Sequence, residues 1–60
     1  MNNIWYEITL VVNKTAVVHK TTESLEEAEF IQEELQRRNI QAKILKWKIE
    51  DNEKELIGEL

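Results

Sequence analysis

One segment constrains the fold more than any other, because it carries a complete helix start signal. The hydroxyl of Ser24 can cap the backbone N–H of Glu27, and the Glu27 carboxylate can reach back to the Ser24 N–H. This arrangement is a capping box. The apolar residues that follow recur on one helical stripe, which comprises Leu25, Ala28, Ile31 and Leu35. The pattern predicts an amphipathic helix that begins at Ser24.

The same segment also carries a helix stop signal. Asn39 tolerates the left-handed backbone conformation that commonly follows the last turn of a helix. Ile40 can then fold back on Leu35, as a Schellman motif requires. Basic residues precede this stop and acidic residues follow the start, so both ends complement the helix dipole. We therefore predict a helix over residues 24–38.

Before the helix, the chain has the period-two pattern of a strand over residues 4–12. The set predicted to face the core is Ile4, Tyr6, Ile8, Leu10 and Val12, while Trp5, Glu7, Thr9 and Val11 point the other way. Asn13-Lys14 suits a two-residue hairpin turn, since asparagine tolerates a positive φ angle. Residues 15–21 are then the returning strand, with either Ala16 and Val18 or Val17 and His19 facing the core.

After the helix, residues 40–49 predict another strand, in which the alternation changes phase. Ile40, Ala42 and Ile44 share one face, whereas Leu45, Trp47 and Ile49 share the other. A bulge near Ile44–Leu45 would turn both sets inward. Without a bulge, one apolar set faces outward. Residues 54–60 form either a fourth short strand, with Leu56, Gly58 and Leu60 on one face, or a frayed tail.

Together these elements predict one small α+β domain over residues 1–60. Its pattern is ββαβ(β), one helix packed on a three- to four-stranded, mainly antiparallel sheet. The helix returns the chain across one face of the sheet, so the predicted strand order is 2-1-3 with any fourth strand outside the third. Residues 27–42 resemble the helix-to-strand passage of ferredoxin-like regulatory domains and SPOR-type domains. That likeness reflects helix-on-sheet packing and implies no particular function.

The residue types that most catalytic and metal sites need are scarce. The chain has no cysteine, a single histidine and a single glycine. Disulfides, thiolate or multi-histidine metal sites and glycine-rich phosphate loops are therefore excluded. Ser24 is explained as a cap, and adjacent helical glutamates diverge by about 100°, so they do not converge on one point. We expect no enzyme, no catalytic residue, no metal and no cofactor.

Several large apolar residues fit a one-sided core poorly. Phe30 lies about 140° around the helix from Leu25, almost opposite the apolar stripe. Trp5 and Val11 lie on the strand face directed away from the core. The predicted partner-binding residues are Trp5, Val11, Phe30 and Trp47. They indicate a non-enzymatic protein-interaction or assembly module of unknown pathway, whose partner is a protein and most simply a second copy in a homodimer.

Charge supplies an alternative function. Residues 37–48 contain five basic residues and no acidic one, namely Arg37, Arg38, Lys43, Lys46 and Lys48, and they surround Trp47. Basic side chains around an aromatic ring are typical of single-stranded nucleic-acid binding. The arginines can equally complement the helix dipole and the lysines protect an edge strand, and the net charge of −4 repels phosphate. A more remote alternative is a small-molecule-binding regulatory domain.

The N-terminus shows no targeting signal. Met1-Asn2-Asn3 has no basic side chain, and Glu7 and Thr9 interrupt the first apolar run. No run approaches the roughly 20 apolar residues that span a bilayer. We expect a cytoplasmic protein without a membrane partner, encoded as a complete small reading frame of a bacterium or phage.

The nucleic-acid alternative makes a direct prediction. A mixed-sequence oligonucleotide added at low salt should quench the tryptophan fluorescence as Trp47 stacks on a base. Binding should weaken steeply as salt is added, because phosphate contacts release counterions. An unchanged emission spectrum at high micromolar oligonucleotide would eliminate this function.

Overall fold

The computed structural model describes residues 3–60, so the expectations stated for Met1 and Asn2 lie outside the described residues. The elements follow in the order β1 (Ile4–Val12), β2 (Thr15–Thr22), α1 (Leu25–Arg37), β3 (Ala42–Glu50) and β4 (Glu53–Glu59). The strands form one antiparallel sheet in the order β2-β1-β3-β4, with α1 on one face. The α+β class, the strand order and the fourth strand are confirmed. Within residues 3–60, no helix has the length and apolarity that a membrane span requires.

The start of α1 confirms the predicted cap but changes its partner. Ser24 Oγ accepts the Glu27 N–H at 3.2 Å, as expected. The Ser24 N–H, however, donates to Thr22 Oγ1 at 3.1 Å, and that hydroxyl donates to Glu27 Oε2 at 3.1 Å. The direct return bond predicted for Glu27 is therefore wrong. The buried Thr22, the last residue of β2, thus links the Ser24 N–H to the Glu27 carboxylate. These two hydrogen bonds connect the strand to the helix.

The end of α1 is a Schellman motif, as the sequence predicts. Asn39 has a φ angle of 61°, in the left-handed region. The Ile40 N–H donates to the Leu35 carbonyl at 2.9 Å, and the Asn39 N–H donates to the Gln36 carbonyl at 2.9 Å. These are the two bonds that define the motif. They turn the chain sharply into β3.

Both hairpins are built on the same plan. Each has a two-residue turn in which both residues have positive φ angles, Asn13 and Lys14 in the first and Asp51 and Asn52 in the second. Positive φ at both positions is the signature of type I′ turns, whose twist matches that of the flanking strands. The fifth residue after each turn is skipped by the strand pairing, as a β-bulge. The bulged residues are His19 in β2 and Ile57 in β4.

The bulge predicted near Ile44–Leu45 of β3 is wrong. Pairing between β3 and β1 runs without a shift from Lys48 opposite Ile4 to Ala42 opposite Leu10. Because β3 is hydrogen-bonded on both sides, a bulge in it would disturb two ladders of strand hydrogen bonds. The bulges in the edge strands β2 and β4 each disturb only one ladder. One apolar set of β3 therefore faces away from the helix. The Ile57 bulge also places Leu56 and Gly58 opposite neighbouring residues of β3, so they do not share a face as expected.

The core lies between α1 and one face of the sheet. It is formed by Ile8, Ala28, Leu35, Ala42 and Ile44, with Tyr6, Leu10, Ile31 and Ile40 packed around them. Val17 pairs with Leu10 on the helix side of the sheet, while Ala16 and Val18 pair with β1 residues on the opposite side. The helix contacts β1, β2 and β3 but not β4. The core therefore occupies only part of one sheet face.

The cap at α1 gives the first stability prediction. Ser24→Ala should lower the free energy of unfolding by about 1 kcal/mol, because the Glu27 N–H loses its acceptor. Ser24→Asp keeps an acceptor oxygen and is the matched control, with an expected loss near zero. Urea denaturation followed by circular dichroism measures both. A Ser24→Ala midpoint equal to that of the wild type would show that the cap contributes nothing.

Candidate functional site

The sheet face opposite α1 is not covered by any element within residues 3–60. Strand register assigns the side chains to it, because directly paired residues of antiparallel strands point to the same side. We call this surface the open face. Its central residues are Trp5, Glu7, Thr9 and Val11 of β1 and Lys43, Leu45, Trp47 and Ile49 of β3, flanked by Val18 and Thr21 of β2 and Lys54, Leu56 and Glu59 of β4.

Two tryptophans lie side by side on the open face. Trp5 of β1 is directly opposite Trp47 of β3. Cβ atoms of such cross-strand pairs lie about 4.5–5.5 Å apart, which brings large rings into contact range. Leu56 of β4 pairs with Trp47 on the outer side and is exposed. The open face therefore carries an apolar patch at one end, formed by Trp5, Trp47 and Leu56.

A cation already lies on one of these rings. The ammonium nitrogen of Lys54, in β4, lies 4.6 Å from the centre of the Trp47 ring. This distance is within the range of a cation–π interaction. The indole N–H of Trp47 is buried and has no hydrogen-bond acceptor within residues 3–60. Trp47 is thus held by ring contacts rather than by its polar atom.

A carboxylate lies beside the tryptophan pair. Glu7 follows Trp5 by two residues on the same face of β1, and it is only 9% exposed. Its Oε2 accepts a hydrogen bond from Thr9 Oγ1 at 2.6 Å. The ion pairs found within residues 3–60 involve other acids, and none places a basic group within 4 Å of Glu7. Glu7 is therefore a nearly buried carboxylate with one strong hydrogen bond and no charge partner in the described chain.

These side chains surround one small depression, which we call the cup. Its lining residues are Trp5, Glu7, Thr21, Trp47, Ile49 and Lys54, and its volume is about 240 Å³. The walls are mostly apolar, with the carboxylate of Glu7 and the ammonium of Lys54 as the charged groups. A larger concavity of about 530 Å³ follows the β3–β4 turn, but its lining side chains are all charged. We regard that concavity as a solvated turn.

The predicted partner-binding residues do not all meet on one surface. Trp5, Val11 and Trp47 lie on the open face, as their strand positions require. Phe30 is 61% exposed on α1, which packs against the opposite face of the sheet. The structure thus brings Trp5 and Trp47 together, places Val11 six residues further along β1 on the same face, and leaves Phe30 on the helix. Glu7 was not among the predicted site residues. The sequence contained a signal for it, because residues two apart in a strand share a face and Glu7 follows Trp5 by two.

The basic residues of the nucleic-acid alternative are also divided. Arg37 and Arg38 lie at the end of α1, whereas Lys46 and Lys48 lie on the helix side of the sheet. Lys43 and Trp47 lie on the open face. Three of the cations pair with acids, as Arg37 with Glu34, Lys43 with Glu59 and Lys48 with Glu50. Alternation along β3 therefore sends the cluster seen in the sequence to both sides of the sheet.

Metal ligands do not converge in the described part of the chain. Within residues 3–60, no group of three or more His, Cys, Asp or Glu side chains could hold a metal ion. No protein-family model, curated protein or solved structure matches the chain.

The position of Glu7 gives a prediction about stability. Thr9→Val removes the hydroxyl that donates to Glu7 and should cost about 1–3 kcal/mol, because a buried acceptor is left unsatisfied. Glu7→Leu should be neutral or stabilising, because an apolar side chain then replaces a buried charge among apolar neighbours. Urea denaturation at neutral pH measures both variants.

Thr21→Val is the matched control for the threonine substitution. Thr21 also lies on the open face but is exposed, so its replacement should change stability by less than about 0.5 kcal/mol. Strong destabilisation by Glu7→Leu would indicate that the carboxylate is part of the framework rather than of a binding site.

Proposed function

We propose that the protein is a non-enzymatic self-association module in which the open face of one copy packs against the open face of a second. The observation that carries the proposal is the Trp5–Trp47 pair on a sheet face that α1 does not cover. Tryptophan is enriched at the buried centres of protein interfaces, where it contributes much of the binding energy. Leu56 extends this patch toward the sheet edge.

The exposed area of the chain is larger than its mass predicts. Its accessible surface is 4787 Å². A compact monomer of 7.2 kDa exposes about 4,100 Å² by the usual scaling of surface with mass. The excess of about 700 Å² is close to the roughly 800 Å² that each partner buries in a standard interface.

Charge on the open face suits a second copy. The face carries acids, Glu7 and Glu59, together with bases, Lys43 and Lys54. A two-fold interface brings the same surface of both copies together. Acidic residues of one copy can then pair with basic residues of the other. The net charge of −4 on each copy opposes association only weakly at physiological salt, where exposed charges are screened over about 8 Å.

Paired substitutions test this proposal. Trp5→Glu places a charge at the centre of the proposed interface, whereas Phe30→Glu makes the same kind of change on the outer side of α1. Light scattering over a range of concentrations should show the wild type and Phe30→Glu rising from monomer mass toward dimer mass. Trp5→Glu should stay monomeric, because an indole whose burial contributes roughly 2–3 kcal/mol is replaced by a charge.

Thermal unfolding provides the second measurement. The midpoint of Trp5→Glu should fall below that of the wild type and should no longer rise with protein concentration. A wild type that remains monomeric at millimolar concentration, with Trp5→Glu equally stable, would overturn self-association. Loss of the dimer in Phe30→Glu alone would move the interface to the helix.

A further inference from the structure

The Trp5–Trp47 pair carries the proposed self-association, whereas Glu7 beside it has no ion pair among residues 3–60. We propose that the cup is a binding site for a small organic ammonium ion, of the quaternary or methylated amine class. Its recognition groups are the Glu7 carboxylate and the rings of Trp5 and Trp47. The inference goes beyond the proposed function and does not rest on it.

The first argument is the unbalanced charge of Glu7. Glu7 is only 9% exposed, and a charge that is removed from water normally has a charged partner or several hydrogen bonds. Glu7 has one hydrogen bond, from Thr9, and no basic group within 4 Å among residues 3–60. A cation in the cup would supply the missing partner.

The second argument is the pair of indole rings. The face of an indole is negative, and tryptophan is the best of the aromatic side chains at attracting a cation. Lys54 already demonstrates this attraction, with its ammonium 4.6 Å from the centre of Trp47. Lys54 is exposed and belongs to an edge strand, so its side chain can leave the ring when another cation enters. It acts as an internal competitor at the rim of the cup.

The third argument is the size and lining of the cup. Its volume of about 240 Å³ lies below the roughly 300–1,000 Å³ of sites for drug-sized ligands. A phosphate or a nucleotide would meet the negative charge of Glu7. Mostly apolar walls favour alkyl groups on the ammonium over a fully hydrated ion such as K⁺. Charge, ring faces and apolar walls therefore favour one ligand class.

Two probes of matched shape test the inference. Choline carries a quaternary ammonium, and 3,3-dimethylbutan-1-ol is its neutral isostere. Each is titrated into the full chain at low micromolar concentration while tryptophan emission and the indole proton signals are recorded. We expect saturable binding of choline and binding of the isostere that is weaker by about tenfold or more, since only choline has the charge.

Three variants locate the site. Glu7→Gln keeps the shape of the side chain and should weaken choline binding by about tenfold. Lys54→Met removes the internal competitor and should strengthen it. Glu33→Gln removes the same charge as Glu7→Gln from the exposed outer part of α1 and should leave it unchanged.

Two results would overturn the inference: equal affinity for the two probes, or choline binding to Glu7→Gln as tightly as to the wild type. Circular dichroism establishes that Glu7→Gln is folded. If it is not, the comparison of probes and the gain in Lys54→Met decide the question. Light scattering on the same samples reports self-association separately, so failure of one proposal does not decide the other.

Discussion

A single helix can cover only one face of a four-stranded sheet, and the rest of this structure depends on that limit. Helix α1 has 13 residues, about 20 Å of length, and contacts three of the four strands. The fully buried core is correspondingly small, centred on Ile8, Ala28 and Ile44. The central strands nevertheless carry large side chains on both faces. The open face is therefore not covered by any element within residues 3–60, and its two tryptophans are only half-buried.

Glu7 breaks the rule that a nearly buried side chain is either apolar or paired with an opposite charge. Such violations are expected at functional sites, where stability is given up for a binding group. A cation in the cup and a second protomer on the open face would each remove water from Glu7 and bring positive charge to that face. The two would also occupy the same surface. Binding of one would then oppose binding of the other, and linkage makes that opposition reciprocal.

The helix could be predicted from the sequence because its signals are local: the Ser24 cap and the Asn39 stop each act within a few residues. The features that the sequence did not reveal are long-range. The phase change in β3 fits either a bulge or a two-faced strand, and the choice depends on β1 and β4 pairing with both of its edges. The burial of Glu7 likewise depends on neighbours from other strands. The division of the basic cluster, by contrast, follows from alternation alone and could have been derived from the odd and even positions of the lysines.

The similarity of the two hairpins shows that the candidate site is determined by side chains rather than by the backbone. The two hairpins, β1–β2 and β3–β4, have matching turns and bulges, so an approximate two-fold rotation exchanges them. Its axis passes between Glu7 and Leu45, which pair at the centre of the sheet. This relation superposes the Trp5–Trp47 pair on the Thr9–Lys43 pair at the other end of the open face. The sheet thus has two equivalent cross-strand pairs on the open face, and only the Trp5–Trp47 pair is aromatic. Because matching turns and bulges frame both ends, the concentration of indole rings beside Glu7 comes from the side chains and not from the strand pairing.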